Sequence, residues 1–233
     1  MNKFFKFLLR FFGGILLNLS LTIFILSFFA SYSLDNIGVF ESSLKSTVYE
    51  ELNINETQQQ EIENLCRLNP NSPGCEQSNQ FTTYINGIVD YKADIINIRI
   101  LSVIFFFIGI LLIYFVHSDL IITFYKVGLS GLITSILSIL YLTLLPSILK
   151  GIFNGEYIRT FARDVPSEMF NKLIEVIIIW LNVPLNRTLK ISIILSIIFL
   201  ILTVVFYILK KRKALKNKDI KNKNDGKKQG SNT

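Results

Sequence analysis

The sequence predicts an all-α membrane protein: a four-transmembrane-helix bundle with a helical, disulfide-pinned outer loop domain and an amphipathic outer helix. Three observations carry this. Of 233 residues, 51% are hydrophobic and only 18% charged, too few charges to clothe a soluble domain of this size. The apolar residues, 20 Phe among them, fall in long uncharged blocks, and mean hydropathy is +0.47. The basic residues collect at both ends of the chain, while the first long polar stretch is acidic. A soluble enzyme, a disordered chain and a free nucleic-acid binder are thereby excluded.

Residues 1–10 carry Lys3, Lys6 and Arg10 with no acid, and residues 11–34 follow with no charge at all. A helix needs about 20 apolar residues to cross a hydrocarbon core, so 11–34 is the first span. The apolar region of a cleavable signal peptide runs to about 7–15 residues, so the length reads as an uncleaved signal-anchor. Helices are required because lipid cannot satisfy the backbone of an open strand.

Residues 35–94 form the first outer loop domain. Ile37, Phe40, Leu44, Val48 and Leu52 share one arc at helical spacing, with Asp35 or Asn36 to cap its start. A second helical stretch, 56–67, is polar apart from Ile62, Leu65 and Cys66, and the turn-rich run from Asn69 to Gly74 ends it. The only two cysteines, Cys66 and Cys75, flank that turn. On an outer, oxidising side they are expected to form a disulfide worth about 2–3 kcal/mol. A zinc site would want three or four N or S ligands, and the single histidine lies on the other side.

Residues 95–116 are the second span, interrupted only by Arg99, whose long side chain is expected to snorkel to water. A cytoplasmic hairpin at 117–126 leads to the third span, 127–149. Gly128, Gly131, Ser135 and Ser138 form a strip of small residues there, with Thr134 beside it. Small residues let helices approach closely, so the strip is read as a packing seam, first within the chain and second between copies. Pro146 is expected to kink the far end of this helix.

The second outer loop, 150–190, opens on Gly151 and Gly155. Within it an amphipathic helix at 166–182 starts at Pro166 and buries Met169, Phe170, Leu173, Ile174, Ile177, Ile178 and Leu181, with Trp180 alongside. Lys172 and Glu175 suit an i, i+3 pair on its polar side. Asn182 and Pro184 are expected to end it, leaving either a helix flat on the outer leaflet or one packed on the first loop. The fourth span is 191–209, and 210–233 is a basic, disordered cytoplasmic tail.

Direction follows from charge. Residues 31–94 hold ten acids against Lys45, Arg67 and Lys92, whereas residues 210–233 hold ten basic residues against Asp219 and Asp225. Four spans put both basic termini on one side, which the positive-inside rule makes the cytoplasm of a cell-membrane protein. Lys210, Lys211, Arg212, Lys213 and Lys216 form a membrane-surface patch able to touch anionic lipid headgroups. With no aromatic residue interleaved, the tail has no platform for stacking bases, and no nucleic-acid partner is expected.

No catalytic set, cofactor or metal site is legible. His117, Ser118 and Asp119 are consecutive, so their side chains radiate apart rather than forming a relay, and Ser118 and Asp119 suit helix capping instead. No Asp, Glu or His lies at mid-span, which removes support for proton-coupled transport and intramembrane proteolysis. Gly13 and Gly14 carry no weight by themselves. Asn55-Glu56-Thr57 and Asn186-Arg187-Thr188 fit a glycosylation sequon only in the weak sense expected of an Asn-rich chain. The reading is a non-enzymatic structural or accessory protein that binds a partner through its outer loops. Membrane lipids surround it, and self-association through the outer loops or the third span is the further contact expected. The alternative is a small oligomeric channel or permease for an uncharged or lipid-like solute, lined by the hydroxyls of the third span.

Overall fold

The computed structural model describes residues 2–69, 72, 75, 83–85, 87–153 and 167–229, with side chains described up to residue 216. Its helices are α1 (Lys3–Asp35), α2 (Ile37–Glu51), α3 (Glu56–Leu68), α4 (Lys92–His117), α5 (Leu120–Phe153) and α6 (Ser167–Gln229), with further helical backbone at 83–85 and 87–90. There is no strand among the described residues. Helices α1, α4, α5 and α6 are each long and apolar enough to cross a membrane, which marks a membrane-embedded protein.

Most hydroxyls in these helices are accommodated locally. Ser20 donates to the Leu17 carbonyl at 3.0 Å, Ser27 to Phe24 at 2.6 Å, Thr143 to Ile139 at 2.8 Å and Thr203 to Phe199 at 2.7 Å. Bonding back one turn lets a polar side chain sit in an apolar helix without an outside partner.

The chain divides into two compact units. One combines α1 up to Ile23, α4 from Leu101, α5 up to Ser138 and α6 from Ser192. Its core is Leu17, Ile113 and Val127, with Phe106, Ile110 and Leu202 packed around them. Close backbone approach sets its geometry: a Cβ on Gly109 would lie 3.1 Å from both the Gly13 carbonyl oxygen and the Leu17 amide nitrogen. Gly13, which had no weight in the sequence, is thus the α1 side of the α1–α4 crossing.

The other unit combines the rest of α1, α2, α3, α4 up to Ile100, α5 from Ile139 and α6 up to Ile191. The turn from α2 to α3 is made at Asn53, whose φ of 52° is a left-handed conformation Asn tolerates. The Ile54 amide then donates to the Tyr49 carbonyl at 2.9 Å, and a capping box of Asn55 with Gln58 starts α3. Asn36 does not cap α2 with its side chain; its amide donates to the Tyr32 carbonyl at 2.7 Å, closing the end of α1. Ile37, Phe40, Leu44 and Val48 are half-buried as their spacing requires, while Leu52 is exposed.

Three boundaries differ from those the sequence predicts. Helix α5 runs through Pro146 and Gly151 to Phe153, so the polar connection starts later than residue 150. Helix α6 continues through Asn182 and Pro184, joining the amphipathic stretch and the fourth span. Proline interrupts a helix by removing one N–H, and in a membrane protein neighbouring groups offset that loss. Pro184 is itself fully buried, and Thr188 donates to its carbonyl at 2.8 Å. The segment from 210 onward, expected to be disordered, continues as helix to Gln229. Pro166 and Gly155 lie outside the described residues.

Candidate functional site

The second unit carries a helical head built from α2 and α3. Glu41, Ser42, Lys45, Ser46 and Tyr49 of α2 face Gln59 and Glu63 of α3 across an open groove of about 310 Å³. Glu41 and Lys45 pair at 2.8 Å, one turn apart. The walls mix carboxylate, ammonium, hydroxyl and amide groups, which suits a polar chain segment rather than an apolar ligand.

The head is fastened to α6 by two contacts. The Phe40 and Trp180 rings lie 5.0 Å apart, and Lys172 Nζ reaches Glu51 Oε1 at 2.5 Å. The expected Lys172–Glu175 pair gives way to this longer-range one. Residues from Ser167 thus pack on α2, with Ile174 and Val176 buried. Cys66 and Cys75 form a disulfide with Cα atoms 5.1 Å apart, and Cys75 is buried.

Below the head, two arginines meet an aromatic ladder on α1. Phe24, Phe28 and Tyr32 follow one another at ring separations of 5.1 and 6.1 Å. Arg99 is half-buried against α1. It donates from Nε to Ser27 Oγ and from Nη2 to the Ser27 carbonyl, both at 3.1 Å, and its Cζ sits 3.9 Å over the Phe28 ring. Arg187 lies 5.4 Å over Tyr32, and Lys92 pairs with Asp35 at 2.6 Å. A planar guanidinium can stack on a ring and hydrogen-bond in its own plane at once, which lowers the cost of an apolar setting.

In the first unit, Gly128, Gly131 and Ser135 are buried and Ser138 is half-buried. A Cβ on Gly131 would lie 2.5 Å from the Phe199 ring, and one on Gly128 2.7 Å from Thr203 Oγ1. The glycine half of the strip therefore faces α6 of the same chain. Ser138 donates to the Thr134 carbonyl at 2.9 Å, while Ser135 Oγ is buried with no hydrogen-bond partner. Asn18 of α1 is a functional candidate that sequence reasoning missed. Its Oδ1 accepts from Ser130 Oγ at 2.5 Å and from Thr134 Oγ1 at 2.8 Å. The signal that could have found it is a lone carboxamide inside a 24-residue uncharged run.

At the α4–α5 link, the consecutive trio separates. His117 Nε2 lies 2.9 Å from Lys126 Nζ, whereas Asp119 Oδ1 accepts from the Ile121 amide at 2.9 Å and caps α5. Ser118 adopts a left-handed φ of 49° and makes the turn. Lys213 donates to Asp119 Oδ2 at 2.6 Å, and that hydrogen bond holds the Asp119 carboxyl below the usual carboxylate range. Lys210 Nζ sits 4.7 Å over the Tyr125 ring, while Lys211, Arg212 and Lys216 are exposed. Two of the five basic residues in this patch are thus committed to α5.

No group of three or more His, Cys, Asp or Glu placed to hold a metal occurs among the described residues. Comparison with known proteins finds no matching family, no matching curated protein and no matching solved structure.

Proposed function

We propose that this is a non-enzymatic accessory protein of the cell membrane that binds a partner protein through a helical head on the outer surface. In this reading the four long helices form a bundle with both termini cytoplasmic, since the basic ends and acidic first loop follow the positive-inside rule. The observation that carries it is the double fastening of α2 to α6, by Phe40–Trp180 and by Glu51–Lys172. A loop serving only as a connection between spans needs no such anchorage. A surface meant to hold a defined shape for a partner does, because preordering lowers the entropy cost of binding. The disulfide and the α3 capping box act in the same direction.

The groove between α2 and α3 supplies a polar recognition surface on that head. The channel alternative draws on the hydroxyl strip of α5, and the packing of that strip against Phe199 and Thr203 weighs against it as a lining. A photo-crosslinking residue at Ser42 or Ser46 tests the accessory reading in native membranes. A reproducible foreign chain is the expected product. Unlinked protein, or links only to its own copies, would contradict it.

A further inference from the structure

Asn18 stands eight residues from Arg10, the nearest charge on α1, or about 12 Å along the helix, inside the apolar run. Its carboxamide is exposed, and Oδ1 already accepts two hydroxyl hydrogen bonds from α5. Those two bonds fix the orientation of the group and turn the Nδ2 end away from α5. Its two N–H donors are then left exposed on a helix long and apolar enough to span a membrane, and in hydrocarbon an unmade amide hydrogen bond is unfavourable by several kcal/mol. Lone Asn side chains in membrane helices meet this need by bonding to another helix.

The surrounding face suits such a helix. Gly14 and Thr22 lie one turn below and above Asn18, and a Cβ on Gly14 would meet nothing within 4 Å. This stripe is distinct from Gly13, Leu17, Leu21 and Ile25, which are buried within the chain. Ile15 and Leu19 beside it are exposed. Helix α1 therefore has one face packed internally and, beside it, a stripe in which Gly14 and Thr22 are half-buried and the central Asn18 carboxamide is exposed.

We propose that this face binds a second copy of the same chain in the membrane, across a two-fold axis normal to the bilayer. Copies inserted in one orientation bring identical patches to the same depth, as an isologous contact requires. The patch is complementary to itself: Asn18 Nδ2 supplies donors, and the Ser130 hydroxyl, whose proton goes to Asn18 Oδ1, keeps acceptor lone pairs at that depth. An unrelated helix would have to offer an acceptor at this level by coincidence. The contact is separate from the head and does not depend on what the head binds.

The test is Förster transfer between donor- and acceptor-labelled full-length chains in phosphatidylcholine–phosphatidylglycerol vesicles, read across protein-to-lipid ratios. The intact protein is expected to show saturable transfer, with Asn18→Leu weakening association at least about 3-fold and up to about 20-fold for each amide hydrogen bond removed. Gly14→Leu is the second variant. It adds bulk on the open face only, so the protomer should keep its disulfide and thermal transition while self-association disappears. Unsaturable transfer by the intact protein, wild-type association by Gly14→Leu or by folded Asn18→Leu, or capture of a foreign chain at Asn18 would overturn the proposal.

Discussion

Gly131 and Gly14 make opposite demands on the same substitution. A methyl at Gly131 would sit 2.5 to 2.7 Å from three atoms of the Phe199 ring, so the seam between α5 and α6 must open to admit it. Gly131→Ala is expected to destabilise the protein by about 1–3 kcal/mol, as overpacking does. Gly14→Ala meets open space and should be neutral, or stabilising by up to about 1 kcal/mol through helix propensity. Reversible unfolding in mixed micelles separates the two. Asp119 supplies a pH signature. Its carboxyl is held below the ordinary range chiefly by the Lys213 hydrogen bond, so the charged form favours the folded state. That contribution is complete above the usual carboxylate pKa and disappears as pH falls through the lowered value. Thermal unfolding between pH 7 and pH 5 should therefore show no change from this site, with a loss confined to stronger acid. Lys213→Met should shrink that acid-dependent step, leaving the part that the Ile121 backbone hydrogen bond contributes.

At the scale of elements, the spans were legible because a long uncharged run has few alternatives in water or lipid. The disulfide was legible too, since Cys66 and Cys75 have only each other and a turn between them. What escaped was contact between distant segments. Nothing local tells Gly13 that it will meet Gly109, or Arg99 that Ser27 and Phe28 will receive it. Pro184 misled for the reverse reason: its local rule is to break a helix, and burial of its ring among the packed helices prevailed. Spin labels at the exposed positions Ile179 and Lys190 test the continuity of α6. A straight helix places their backbones about 16 Å apart, and a turn at Pro184 would shorten that distance. The head has its own test. A double-mutant cycle of Phe40→Ala and Trp180→Ala should give a coupling of about 0.5–1.5 kcal/mol beyond the two single effects. A coupling near zero would mean that α2 is not fastened to α6 by these rings.

For the whole molecule, the parts separate into a membrane-embedded portion whose hydroxyls bond back to its own helix carbonyls and a polar head tied to α6. A chain whose only duty was to span the bilayer would have no use for the capping box, the disulfide and the two ties to α6. The proposed function requires this head to meet a partner protein on the outer side of the membrane. The most direct measurement is photo-crosslinking from Ser46 in intact cells, with mass identification of every attached chain, repeated with Phe40→Ala to loosen the head. One recurrent foreign chain is predicted, linked from outside and absent or strongly reduced in the Phe40 variant. A head that links to nothing, or whose links are indifferent to Phe40, would contradict it.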